Sequence, residues 1–137
     1  MSYKDFGNPK YGITKNLGKV NFEEAREKVI DAFKEQGFGL QTEMNLKETF
    51  KKKLDTDFRE YRILGFCHPH VAFQALGEEP AIGLLLPCNV CLATNESGDV
   101  IVSGVDPMEL FKVIGRDDIK EMAGQIREQI GLSIDSL

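Results

Sequence analysis

The sequence lacks the features that mark several specialised classes of protein. No stretch approaches the roughly 18 consecutive apolar residues that a membrane-spanning helix needs. The opening residues, MSYKDFGNPKYG, contain neither the apolar core of a signal peptide nor an Arg-rich amphipathic pattern. We therefore expect a cytoplasmic protein that does not associate with membranes.

The sequence also has no excess of positive charge, since it contains 17 Lys and Arg and 22 Asp and Glu. The resulting net charge of −5 argues against a protein that binds nucleic acid through its phosphates.

Cysteine and histidine are scarce, with three and two residues respectively. An odd number of cysteines without an export signal argues against a disulfide scaffold, so we expect reduced thiols. All five of these residues fall between Ile63 and Cys91, together with three of the five prolines. That concentration makes this segment the place to look for a functional site.

Common catalytic and nucleotide-binding motifs are also missing. The chain has no GxSxG, no Walker loop and no HExxH. Gly37-Phe38-Gly39 is half of a dinucleotide fingerprint, but it follows a predicted helix and precedes a predicted strand, an order that suits a helix C-cap instead. Carboxylates fall in predicted turns and helix starts, and no acid–base pair stands out.

The pattern of apolar residues predicts a single domain over residues 1–137, with the element order β-α-β-α-β-α-β-β-α-α. We expect an α+β fold of two layers, in which a mixed or mainly antiparallel sheet of about five strands carries helices mostly on one face. One face or edge of such a sheet needs a cover, and a symmetric homodimer would supply it.

Several element boundaries follow from local chemistry. Asn21 and Asn45, each followed three residues later by a glutamate, predict helix N-termini with a capping box. Asp106-Pro107 predicts another helix start. We expect the last helix to run from about Asp118 to Ile130 and to end at Gly131.

Cys67 is the leading single candidate for chemistry. It should lie where a strand ends and a helix begins, beside backbone amides whose partial positive charge stabilises a thiolate. His68 and His70 are close in sequence, and either could act as a base for the thiol or share a metal ion with it. The alternative is a buried structural cysteine, because free cysteine is among the most buried residue types.

Cys88-Asn-Val-Cys91 has the CxxC form of many metal and redox sites, within an apolar run from Ala81 to Asn95 that Pro87 interrupts. On a regular strand, side chains three residues apart point to opposite faces, so only a bulge or tight turn would let both sulfurs bind one ion. A set built from Cys67 and Cys88 with a histidine would suit zinc, iron or copper. The full set of candidate metal ligands is Cys67, His68, His70, Cys88 and Cys91.

Three motifs carry a resemblance to a known family: GFGLQTEMN, the LGFC-x-P segment with Ala72 and Leu76, and LLPCNV. The chain resembles, over most of its length, the bacterial and archaeal family known as domain of unknown function 302. The resemblance implies a two-layer α/β fold and a homodimer, with no established activity. It also implies that the shared positions, and hence the candidate ligand-binding residues, are Cys67, Pro69, Pro87 and Cys88. A small polar residue is usual in the family where this chain has His68, and His70 and Cys91 lie outside the shared pattern.

Three functional hypotheses follow, and they leave open whether the protein is an enzyme. The leading one is a homodimeric domain that binds a small ligand or a metal ion, zinc or another transition metal, near Cys67 and Cys88. A second is redox or nucleophilic chemistry with Cys67 as the catalytic residue. A third is a protein-interaction module whose cysteines only pack.

Overall fold

One antiparallel sheet of five strands forms the centre of the fold, in the order β1-β5-β4-β3-β2. The computed structural model describes residues 3–137. The strands are β1 (Gly12–Asn16), β2 (Gly39–Asn45), β3 (Tyr61–Cys67), β4 (Cys88–Thr94) and β5 (Val100–Val105). Every neighbouring pair is antiparallel. The predicted α+β class is therefore confirmed.

Helices and short 3₁₀ segments connect the strands in the predicted order. The α-helices are α1 (Phe22–Glu35), α2 (Leu46–Leu54), α3 (Pro69–Glu78), α4 (Pro107–Leu110) and α5 (Asp117–Asp135). The 3₁₀ segments are Pro80–Leu85 and Phe111–Ile114. In the described range, no helix is both long and apolar enough to cross a membrane.

The predicted N-caps are present. The Asn21 side chain accepts a hydrogen bond from the Glu24 amide at 2.9 Å, and the Asn45 side chain accepts one from the Glu48 amide at 3.1 Å. These bonds satisfy amides that have no partner inside the first helical turn. The helix starts that the sequence predicted at α1 and α2 are thus confirmed at the level of the capping atoms.

The main core lies between one face of the sheet and helices α1 and α5. Phe33 of α1 stacks on Phe66 of β3, with ring centroids 4.5 Å apart. Gly104 of β5 lets α5 approach closely, because a Cβ at this position would lie 2.9 Å from Cγ2 of Ile130. Each fully buried large side chain in this layer stabilises the fold by about 1.5–3 kcal/mol.

Two boundary predictions were wrong or incomplete. Helix α5 does not end at Gly131 but continues to Asp135, and its extra turn buries Ser133 and Ile134. That burial outweighs the roughly 1 kcal/mol cost of a helical glycine. The apolar run after Ala81 divides into a 3₁₀ segment and β4, which starts directly after Pro87.

The second face of the sheet, opposite α1 and α5, is partly covered by residues 3–10, which we call the N-terminal arm. Phe6 stacks on Tyr61 of β3 with ring centroids 6.2 Å apart, and Tyr3 meets Phe58 edge-on at 5.6 Å. The sequence argument for a dimer assumed that one sheet face or edge lacked a cover. The arm supplies part of that cover from the same chain.

Candidate functional site

A small cavity lies where β3 ends, β4 begins and α3 starts, and we call it the thiol cavity. Its volume is about 40 Å³, and four of the predicted site residues line it: Cys67, His68, Pro87 and Cys88. The remaining lining is apolar and includes the rings of Phe38, Phe66 and Phe111 and the side chains of Val71, Ala72, Ala75, Met122 and Ile126. The cavity is therefore an apolar space with two thiols and one imidazole in its wall.

Antiparallel pairing brings the two cysteines to the same end of the sheet. Cys88, the first residue of β4, lies opposite Phe66, and Cys67 at the end of β3 lies opposite Gly39. Because β3 ends where its antiparallel neighbour begins, both cysteines line the same cavity although 20 residues separate them in sequence. Pro69, by contrast, is the exposed first residue of α3 and is not part of the cavity wall.

The two thiols of the cavity differ in burial. Cys88 is only 9% exposed, and burial, together with the nearby Cys67, raises the pKa of the Cys88 thiol to about 11. Cys88 is therefore protonated at neutral pH and presents an apolar surface. Cys67 is partly exposed at the cavity wall.

Among the described residues of the cavity wall, His68 carries the only ionisable ring. Its ring meets Phe38 edge-on, with centroids 5.3 Å apart, and it packs directly over Gly37, where a Cβ would lie 2.6 Å from Nε2. Its Nδ1 is buried and has no hydrogen-bond partner within residues 3–137. Leaving a buried polar atom without a partner costs about 1–3 kcal/mol, a cost that a bound ligand could offset.

Cys91 lies on the other side of the sheet from Cys88, as expected for positions three apart on a strand. Its Sγ accepts a hydrogen bond from the Tyr61 hydroxyl at 3.4 Å. Burial raises the pKa of the Cys91 thiol. The CxxC motif therefore does not form one site, because β4 continues through it without a bulge.

The five predicted metal ligands are not gathered in one place. His70 is exposed, with its ring 6.3 Å from that of His68, and Cys91 faces away from the cavity. Within residues 3–137, no group of three or more His, Cys, Asp or Glu side chains is placed to hold a metal ion.

Sequence reasoning missed the far wall of the cavity. Phe111 comes from the second 3₁₀ segment, and Met122 and Ile126 come from α5. Met122 and Ile126 stand four residues apart, a spacing that indicates one face of a helix but not which residues that face contacts. Only the docking of α5 against α3 brings them to Cys67 and Cys88.

Comparison with known proteins places this fold and these motifs in a family. A solved structure described as the crystal structure of uncharacterized conserved protein DUF302 from Bacillus stearothermophilus has a TM-score of 0.85 to this chain. The two sequences are 23% identical, over 93% of this chain and 98% of that chain, so the likeness shows the fold. No curated protein matches the chain. The family model described as Domain of unknown function DUF302 matches residues 13–137. Because this match covers most of the sequence, the chain belongs to the DUF302 family, as its motifs indicated.

Proposed function

We propose that this domain binds a small ligand by enclosing one apolar group of it in the thiol cavity. The observation that carries the proposal is that Cys67, His68, Pro87 and Cys88 line a single apolar cavity. Apolar concave sites with a few converging polar atoms are the usual form of small-molecule sites.

The size of the cavity limits the group that it can hold. About 40 Å³ corresponds to roughly three water-sized spheres, given about 10–15 Å³ for each. The enclosed group therefore has only a few non-hydrogen atoms, and the rest of the ligand lies outside. The unpartnered Nδ1 of His68 favours a group with one hydrogen-bonding atom.

A cavity-filling substitution tests this proposal. Short-chain alcohols from methanol to butanol serve as probes, and chemical shifts of backbone amides report binding. Ala72 lines the cavity from α3, so Ala72→Leu should remove the shift changes around Cys67 and Cys88. Ala81→Leu adds the same bulk at an exposed position outside the cavity wall and should leave them intact. Shift changes that survive Ala72→Leu, or their absence in the unaltered protein, would contradict the proposal.

A metal ion is the other ligand to test, because thiols and imidazole are donors that soft metals prefer. The three groups would have to move closer together to bind one ion, since no three such side chains within residues 3–137 are placed to hold it. Elemental analysis of protein purified without a histidine tag tests this form. Near-stoichiometric zinc, iron or copper that is lost in the Cys67→Ser/Cys88→Ser double variant would support it. If the protein contains no metal and still binds the alcohols, the metal hypothesis is excluded and the apolar ligand is supported.

The second candidate function is thiol chemistry at Cys67, and its partial exposure favours it over the buried Cys88. Cys67 immediately precedes His68, the N-cap of α3, which could act as a base. Native alkylation with iodoacetamide near neutral pH tests it: one fast thiol at Cys67 supports the candidate. Slow, uniform alkylation of all three thiols would exclude it.

We also propose that the domain forms a homodimer through an exposed apolar patch on α3 and the 3₁₀ segment that follows. Phe73 and Leu84 are each 87% exposed and Leu76 is 42% exposed. Exposed aromatic and aliphatic side chains are enriched at the centre of protein interfaces. Sedimentation should give a dimer that Phe73→Ser/Leu84→Ser dissociates. Val113→Ser, at a 76% exposed position outside the patch, should leave it associated.

A reducing compartment such as the cytoplasm is our proposed location. The support is that Cys67, Cys88 and Cys91 are all free thiols, which persist where cellular reductants are present. Fractionation of the cells that produce the protein tests this location directly.

A further inference from the structure

We propose that the second face of the sheet carries a separate binding site for a small carboxylate, with Arg59 as the residue that holds the anion. The site is a cavity of about 340 Å³ beside the N-terminal arm, and we call it the arm cavity. Its wall includes Phe6, Tyr11, Arg59, Tyr61, Asn89 and Ser103. It lies across the sheet from the thiol cavity, so it does not depend on the function proposed above.

Arg59 is a partly buried cation that forms no salt bridge within the described residues. Within residues 3–137, no salt bridge to a carboxylate is seen at its guanidinium, and Nη1 donates to the backbone carbonyls of Lys4 and Thr94 at 3.3 and 3.5 Å. Nε is buried and has no acceptor, and no hydrogen bond in the described part of the chain uses Nη2. Buried charged side chains are almost always paired. The Nε–Nη2 edge of this guanidinium therefore has no acceptor among the described residues.

Aromatic rings surround the guanidinium but do not provide hydrogen-bond acceptors for its Nε and Nη2 groups. The guanidinium carbon lies 5.2 Å from the ring centroid of Tyr3 and 5.7 Å from the centroids of Phe58 and Tyr61. Ring faces attract a cation, but they do not supply the oxygen acceptors that its N–H groups need. The geometry that completes such an edge is a bidentate pair of N–H···O bonds to one planar carboxylate.

The lining favours a singly charged ligand with an apolar body. Arg59 is the one charged residue in the described wall, and the hydroxyl and amide groups of Tyr61, Ser103 and Asn89 are neutral donors. A phosphate dianion would require more positive charge than one guanidinium supplies. Tyr61 donates its hydroxyl proton only to the sulfur of Cys91, a weak acceptor, so a ligand oxygen could take this bond.

Binding requires a small adjustment around Arg59, since protein atoms cover Nε. The three tyrosines of the chain all report on such an adjustment: Tyr11 and Tyr61 line the cavity, and Tyr3 lies against the guanidinium. The sequence contains no tryptophan. Intrinsic tyrosine fluorescence is therefore a direct probe of this cavity.

The first experiment compares two ligands that share an apolar body and differ in the charge and hydrogen-bonding atoms of the head group. Cyclohexanecarboxylate and its neutral amide have the same apolar body and do not interfere with tyrosine fluorescence. We expect a saturable fluorescence change with the carboxylate, and binding of the amide that is at least about tenfold weaker, the difference expected when a charge-assisted bidentate contact is lost. Equal binding of the two compounds, or no saturable change with the carboxylate, would overturn the proposal.

A substitution then tests the role of Arg59. Arg59→Gln should weaken carboxylate binding by at least about tenfold, whereas Lys53→Gln, which removes the same charge from the exposed face of α2, should leave it unchanged. Carboxylate binding that survives Arg59→Gln would overturn the assignment. If Arg59→Gln does not fold, the Nε–H resonance of Arg59 in the unaltered protein decides. A downfield shift on addition of the carboxylate, absent with the amide, supports a bidentate contact, and an unmoved resonance contradicts it.

Discussion

Replacement of Gly37 by alanine tests the packing that holds His68 in the wall of the thiol cavity. Gly37 follows α1 and adopts a positive φ of +92°, a conformation that residues with a Cβ rarely adopt. An alanine Cβ at this position would lie 2.6 Å from Nε2 and 3.0 Å from Cδ2 of His68. The substitution therefore introduces both backbone strain and a steric overlap.

The two effects can be estimated separately. Backbone strain for an alanine in this region costs about 1–2 kcal/mol. The overlap with the imidazole adds about 1–3 kcal/mol if the ring cannot move away. The ring is restrained on its other side by Phe38, 5.3 Å away between centroids. We therefore expect Gly37→Ala to lower the free energy of unfolding by about 2–5 kcal/mol.

Urea denaturation followed by circular dichroism measures this loss, and a second glycine provides the control. Gly98 has a similar φ of +85°, but a Cβ there would meet nothing within 4 Å. Gly98→Ala should therefore cost only the strain, about 1–2 kcal/mol. The excess cost at Gly37 should disappear when the same substitution is made in a His68→Ala background. If Gly37→Ala costs no more than Gly98→Ala, or if the excess persists without the imidazole, the inferred packing of His68 over Gly37 is wrong.

Three further outcomes follow from the burial, charge and capping of individual side chains. Because the pKa of Cys88 is raised to about 11, only roughly one Cys88 thiol in 10,000 is deprotonated at pH 7. In the native protein, Cys88 should therefore be alkylated more slowly than Cys67, and its alkylation rate should rise with each unit of pH up to about 11. Arg26 lowers the pKa of Glu43, so their ion pair stabilises the fold at neutral pH and loses this effect as the pH falls through the folded-state pKa. Glu43→Gln should thus lower the free energy of unfolding by at most about 1 kcal/mol at pH 7, since the pair is partly exposed, and denaturation curves should converge with those of the unaltered protein in acid. Asp106 is 7% exposed and caps α4; Asp106→Ala should cost about 1–3 kcal/mol in thermal or urea denaturation, because buried donors lose their acceptor.

The resemblance to the DUF302 family and the antiparallel α+β fold could both be predicted from the sequence, because their signals are local. Asn21 and Asn45 accept hydrogen bonds from amides three residues ahead. Partners this close in sequence can be recognised from the sequence alone. The end of α5 could not be predicted in this way. Gly131 is an ordinary stop signal in isolation, and only the burial of Ser133 and Ile134 against the rest of the protein carries the helix past it.

The candidate sites also differ in whether a local sequence signal could predict them. The strand period of two places Cys88 and Cys91 on opposite faces, and this separation could be read directly from their spacing. The clustering of cysteines and prolines in the sequence indicated a candidate site near Cys67. The arm cavity had no such signal, since Arg59 lies in a loop before β3 and part of its environment comes from the opening residues of the chain.

By itself, then, the sequence determined the elements, their order and the residues that begin most helices, because these depend on hydrogen bonds and periodicities within about four residues. It also marked Cys67 and Cys88 as residues to examine. Tertiary structure alone decided that these thiols share a cavity with Met122 and Ile126, that the predicted metal ligands His70 and Cys91 lie outside it, and that Arg59 faces a second cavity across the sheet. The physical reason is that a cavity is a gap left by side chains from distant segments, and its shape depends on how closely whole helices and strands pack.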